Sequence, residues 1–139
     1  MRFLVTGEAD EAVNTIMHQG LTAGFEMVSA KDITHDIIET AHAIIYVADK
    51  AINDAHEQFN NLVSKMNNHG VKRLVVCTPA LTNIHMQNSD LDWTVINPDK
   101  DYARMSKDEL SAVSSFILDH VTNASGIRKH ISFQPIVSA

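Results

Sequence analysis

The chain has 139 residues, 45% apolar and 20% charged, an ordinary globular composition that leaves no room for a two-domain enzyme. A formal charge of −6, with only eleven scattered Lys and Arg, argues against a surface that tracks nucleic-acid phosphates or an anionic membrane. One cysteine, Cys77, allows no internal disulfide, no stretch approaches the roughly 20 apolar residues of a membrane span, and Arg2 leads straight into a strand-like run, so a cytoplasmic protein is expected.

The chain opens on Phe3-Leu4-Val5-Thr6, an apolar run stopped by Gly7, which predicts a strand buried on both faces. Ala12, Val13, Ile16, Met17, Gly20 and Leu21 then recur at three- and four-residue spacing, the apolar stripe of a helix ending near Gly24. Phe25-Glu26-Met27-Val28 offers a second strand, and Thr34 can cap a short helix through Ile37 and Ile38. Ala43-Ile44-Ile45-Tyr46-Val47-Ala48 is the next buried strand. Asp49 can cap a longer helix that carries Ile52, Ala55, Phe59, Leu62, Val63 and Met66 on one face until Asn68-His69-Gly70 ends it. Leu74-Val75-Val76-Cys77 is a further buried strand closed by Pro79. Residues 80–87 are ambiguous, with a short helix as one reading, and Trp93-Thr94-Val95-Ile96 is a fifth strand stopped by Asn97-Pro98. After a polar loop to Met105, Ser106-Lys107-Asp108-Glu109 spells a capping box whose helix turns Leu110, Val113, Ile117 and Val121 inward. Ile131 and Phe133 alternate before Pro135, the pattern of a short edge strand.

Strands that are apolar throughout and alternate with helices define the α/β class: an open, doubly wound parallel sheet of about five strands in a three-layer αβα arrangement. No repeat, low-complexity stretch or linker interrupts the chain, so residues 1–139 are expected to form one domain. In such sheets a ligand sits beyond the carboxyl ends of the strands, where strand order reverses. That places the candidate site at Gly7, Glu8, Ala9 and Asp10, at residues 48–50 from Ala48, at Thr78 and Pro79, and at Asn97 and Pro98.

Several of these segments resemble the atypical short-chain dehydrogenase/reductases of the NmrA-like and NAD(P)-binding flavin-reductase type. Met1-Arg2-Phe3-Leu4-Val5-Thr6-Gly7 is similar to that family's opening strand and first glycine, and Gly24-Phe25-Glu26-Met27-Val28 to its glycine-led second strand. Gly70-Val71-Lys72-Arg73-Leu74-Val75-Val76 resembles its G-V-K-R entry to a later strand. Leu91-Asp92-Trp93-Thr94-Val95-Ile96-Asn97-Pro98 resembles its L-D-W-T-I-V-R-P segment, the most distinctive of the set. Residues 105–118 resemble its late helix, with Ser106, Asp108 and Leu110 in register. The resemblance implies a Rossmann-like NAD(P)-binding fold with cofactor contacts at Gly7, Glu8, Ala9, Asp10, Lys31, Ala48, Thr78 and Pro98.

Three departures bear on that cofactor. The family's G-x-x-G-x-x-G phosphate loop falls on Gly7, Asp10 and Val13, so two glycines that let backbone approach a pyrophosphate are replaced. Glu8, Asp10 and Glu11 crowd the same turn, where they can satisfy the helix dipole themselves and repel a diphosphate. At ~5 Å each such charge pair costs roughly 1 kcal/mol in water and about 3 at an effective dielectric of 20. Only about fourteen residues separate the second strand from Ala43, too few for the family's helix and third strand, which points to a flavodoxin-like order 2-1-3-4-5. The short stretch between Pro79 and Leu91 removes much of the family's substrate cover. Tyr-x-x-x-Lys, the standard carbonyl-protonating pair, is absent: Tyr46 lies inside a strand, and Tyr102 has Lys107 five positions on.

The remaining chemistry-bearing residues read as structural. The eight histidines form no H-x-H, H-x-x-x-H or H-E-x-x-H spacing and are better read as surface residues than metal ligands. Cys77 is better read as a small buried apolar residue than a nucleophile. Tyr102 and Arg104 can face a ligand at the strand ends, although a plain surface loop is the simpler reading. Met17, Met27, Met66, Met86 and Met105 share no helical face and read as core filler. Lys31 and Asp32 follow the second strand, where they would meet a ribose or its 2′-phosphate, or stand as solvated loop residues.

The expectation is therefore a compact Rossmann-fold relative of the short-chain reductases that is non-catalytic and acts as a binding or regulatory module. The alternative is an NAD(P)H-dependent oxidoreductase of the flavin-reductase type, where the cofactor supplies the hydride and no tyrosine acid is needed. NAD(P) is the cofactor the resemblance implies, and the carboxylates of the first turn argue against it. A flavin or mononucleotide at the switch point, in flavodoxin manner, is a third reading, opposed by the lack of a Ser/Thr-rich phosphate loop. The edge left by the shortened second crossover is where a second subunit would pair as a homodimer.

Overall fold

The structure, a computed structural model, describes residues 2–29, 35–48, 57–78, 91–98, 102–122 and 129–133. The chain runs β1 (Arg2–Gly7), α1 (Asp10–Thr22), β2 (Glu26–Ser29), α2 (His35–Glu39), β3 (Ala43–Val47), α3 (Glu57–His69), β4 (Arg73–Cys77) and β5 (Asp92–Pro98). A 3-10 turn (Tyr102–Arg104), α4 (Lys107–Thr122) and β6 (Lys129–Phe133) follow. The sheet order is β2-β1-β3-β4-β5-β6, and every neighbouring pair is parallel. The expected order 2-1-3-4-5 is present, with β6 added beside β5. Thr34, Asp49, Ile52, Ala55, Lys31, Asp32, Lys50, Pro79, Met86 and residues 80–87 lie outside the described residues.

The two faces of the sheet follow from strand alternation. Phe3, Val5, Ile45, Val47, Val75, Cys77 and Ile96 pack with α1 and α4 on one side. Leu4, Ile44, Tyr46, Leu74, Val76, Trp93 and Val95 pack with α2 and α3 on the other. Since both faces are covered, the strands read as continuous apolar runs, and β3 is buried at all five positions. In α1, Gly20 lies against Met27 of β2 so closely that a Cβ would collide with the methionine side chain; the glycine lets helix and strand approach.

The helix that carries Leu110 and Ile117 inward begins as its sequence predicts. The Glu109 amide donates to Ser106 Oγ at 3.2 Å, and the Ser106 amide donates to Glu109 Oε1 at 3.1 Å. Its far end is held by a residue that sequence reading did not single out. Arg73 Nη1 donates to the Asp92 carbonyl and to Thr94 Oγ1, each at 2.9 Å, and its Nη2 donates to the carbonyl of His120 in the last turn of α4. A cation is favoured at a helix carboxyl end, and here it also joins β4 to β5. Burial lowers the pKa of this guanidinium, while nearby Asp92 acts in the opposite direction.

One boundary differs from expectation. Asn97 and Pro98, which the sequence predicts to stop the fifth strand, are its last two residues, because β6 supplies a parallel neighbour there and Pro98 pairs with Phe133. At the final strand position the missing proline N–H costs no continuing ladder.

Candidate functional site

The carboxyl ends of β1, β3, β4 and β5 lie side by side, and hydrogen bonds tie them together. Gly7 stands beside Val47, Val47 beside Cys77, and Cys77 beside Ile96 in register. The Ala48 amide donates to the Cys77 carbonyl at 2.8 Å, and the Thr78 amide to the Ile96 carbonyl at 3.0 Å. Asn97 Nδ2 donates to the Thr78 carbonyl at 3.2 Å. Four of the predicted positions, Gly7, Ala48, Thr78 and Pro98, thus form one row, and Glu8, Ala9 and Asp10 lead from it into α1. Ala48 and Thr78 are fully buried in that row.

The first turn has an internal use for its backbone. Gly7 adopts φ 134, a conformation that L side chains rarely reach, and a Cβ there would overlap the Val47 carbonyl. That same carbonyl accepts the Glu8 amide at 3.0 Å and the Ala9 amide at 3.4 Å. Ala9 occupies the N-cap of α1 and supplies no side-chain cap, while Asp10 and Glu11 provide the acidic first turn. The Glu8 carboxylate is directed to β3: Tyr46 Oη donates to Glu8 Oε1 at 2.8 Å. Strand register explains this pair. Tyr46 lies opposite Thr6, two residues before Glu8, so its hydroxyl reaches the turn that follows β1.

A second tyrosine closes the opposite face. Tyr102, on the 3-10 turn after β5, is only 5% exposed, and its hydroxyl donates to Cys77 Sγ at 2.5 Å. This corrects the surface-loop reading of Tyr102; Arg104 of the same turn is exposed. Burial pushes the Cys77 thiol up to about 12, and the Tyr102 hydrogen bond opposes that shift. Cys77 is therefore a neutral thiol at physiological pH, as its apolar surroundings suggested, and not a nucleophile. Burial, followed by the neighbouring Cys77, raises the Tyr102 phenol well above its usual range. Neither buried group suits proton transfer near neutrality.

Other predicted residues are dispersed. His42, His69 and His120 contact, respectively, the Arg2 amide, the Glu39 carboxylate and the Phe116 carbonyl. Among the described residues no cluster of three or more His, Cys, Asp or Glu is placed to hold a metal, and no helix is long and apolar enough to cross a membrane. Two grooves are lined by residues of α1 and α4. One, of about 410 Å³, is bordered by Glu11, Asn14 and Lys107; the other, of about 530 Å³, by His18, Phe25, Leu118 and Asp119.

The sheet order, the flanking helices and the row of strand ends define a Rossmann-like αβα protein. The comparisons agree on the fold. ChuY from Escherichia coli superposes with a TM-score of 0.67 at 11% identity, over 99% of this chain and 98% of that one. A wide-type short-chain dehydrogenase/reductase from Veillonella parvula, solved in complex with NADP, matches with a TM-score of 0.64 at 11% identity, over 94% and 93% of the two chains. A protein from Burkholderia pseudomallei matches with a TM-score of 0.59 at 14% identity, over 95% and 98%. No protein-family model matches the chain, and no curated protein matches it significantly.

Proposed function

We propose that this chain is a compact relative of the NAD(P)-binding short-chain reductases, of NmrA-like character, that serves as a binding or regulatory module and carries out no hydride transfer. The observation that carries this reading is the first turn. A carboxylate, Glu8, is anchored by Tyr46 at 2.8 Å beside the carboxyl ends of β1 and β3, and the Glu8 and Ala9 amides are directed to the Val47 carbonyl. A diphosphate at this turn would meet Glu8, Asp10 and Glu11 and find those two amides already engaged. These residues do not fit a dinucleotide diphosphate. The neutral, buried Cys77 and Tyr102 and the absent Tyr-x-x-x-Lys pair agree with a site that lacks an acid for carbonyl reduction.

The second reading is an NAD(P)H-dependent reductase of the flavin-reductase type, favoured by the likeness to the Veillonella parvula protein solved with NADP. Titration with NADH and NADPH, followed by nicotinamide fluorescence, separates the two. No saturation at micromolar cofactor is expected for the native chain. Removing one carboxylate charge by Glu8→Gln should strengthen any residual binding about tenfold, the effect of ~1.4 kcal/mol, within the range for one charge pair at this distance. Saturable micromolar binding by the native chain would overturn the proposal in favour of the reductase.

A further inference from the structure

We propose that Tyr102 is the catch of a closed strand-end crevice: a ligand entering there must first draw the Tyr102–Arg104 turn away from β4, and that opening uncovers Cys77. The part concerning a ligand rests on the binding-module reading above; the catch itself does not.

Three observations support the catch. Tyr102 sits on a three-residue turn beside exposed Arg104, yet is itself only 5% exposed. Its ring belongs to the hydrophobic cluster on the α1/α4 face, and its hydroxyl reaches Cys77, the last residue of β4. Among the described residues, the hydrogen bond joining this turn to the sheet is the one from Tyr102 Oη to Cys77 Sγ. Met105 donates its amide to the Tyr102 carbonyl at 3.1 Å, which closes the turn on itself. Thiol sulfur is a weak acceptor. A turn attached to the sheet through one side chain and a weak acceptor can leave as a unit while the parallel ladder stays paired, the pattern of a local opening. The position is also the one where doubly wound sheets receive ligands.

Cys77 is the only cysteine in the chain, so its labelling reports this one place. The full chain is treated with Ellman's disulfide reagent at pH 8, and thionitrobenzoate release is followed in urea from zero up to the unfolding transition. A catch predicts a rate that is flat in low urea, since a local opening exposes little surface, and rises only near the transition. Tyr102→Phe, which keeps the ring and removes the hydroxyl, should raise the flat rate about tenfold. Ile16→Val, a core change on α1 outside the turn, should lower global stability and leave the flat rate unchanged. A rate that climbs with urea from zero, and that follows global stability equally in both variants, would show that Cys77 is reached only by unfolding and would overturn the catch. The labelling needs no ligand. A failed cofactor titration therefore bears only on what enters, and unaltered labelling in Tyr102→Phe bears only on the catch.

Discussion

At the carboxyl end of β4, a thiol and a phenol share a dry space, and both are held in their protonated forms. The Cys77 thiol is pushed up to about 12 by burial, whereas an unfolded cysteine titrates near about 8.5. Between those values the folded chain keeps a proton that the unfolded chain releases. Stability from this group is thus complete below about pH 8.5 and falls as pH rises toward 12, with a limiting slope of about 1.4 kcal/mol per pH unit. Tyr102, also raised by burial, acts in the same direction. Urea midpoints measured from pH 7 to 11 should fall above about pH 9, and Cys77→Ala should flatten that fall whatever its absolute stability. Equal profiles would contradict the burial of this thiol. Cys77 as a buried residue was legible from Val75-Val76-Cys77. Its tyrosine partner was not, because Tyr102 comes from a turn 25 residues away. Tyr46 and Glu8, 38 positions apart, escaped for the same reason: strand pairing alone makes them neighbours.

Among the elements, α4 shows where local signals suffice and where they stop. Its start is readable because Ser106 and Glu109 are three residues apart and satisfy each other's backbone. Its end depends on Arg73, a residue of β4 whose bond to the His120 carbonyl spans 47 positions. The Gly70-Val71-Lys72-Arg73 segment carries a family likeness but no local signal for Arg73 as a clasp. Replacing Arg73 by Met keeps the aliphatic stem and removes the three charge-assisted bonds. The expected cost is about 3 kcal/mol in unfolding free energy, since bonds to charged groups contribute about 1.5–3 kcal/mol each and are not additive. Amide exchange should accelerate in the last turn of α4 and not at its capped start. A change confined to the start, or no change, would remove the clasp as the explanation.

For the whole molecule, the two hydrophobic clusters lie on opposite faces of one sheet, so each helical layer packs on strands that the other also uses. We propose that the chain is one cooperative domain, and the prediction is a single unfolding transition. Trp93, the only tryptophan, belongs to the α2/α3 face, while helical ellipticity reports both layers. Their urea curves should coincide; a fluorescence transition displaced from the ellipticity transition would divide the chain into separate units. The shortened crossover between β2 and β3 belongs to the same scale. Among the described residues it holds α2, and the sheet runs from β2 through β1 directly to β3.

By itself, the sequence determined the class of fold, the capped start of α4 and the acidic first turn, while the order of the first five strands came from the family resemblance together with the short second crossover. Each is written in local periodicity, in loop length or in residues a few positions apart, and short-range physics reads such signals. Only the tertiary structure decided which side chains meet at the strand ends. Parallel pairing brings together residues from distant crossovers, and a register shift of one position would turn Tyr46 away from Glu8. It also decided that the backbone of the first turn serves Val47, because Gly7 lets β1 pass close enough to the end of β3 for one carbonyl to take both amides.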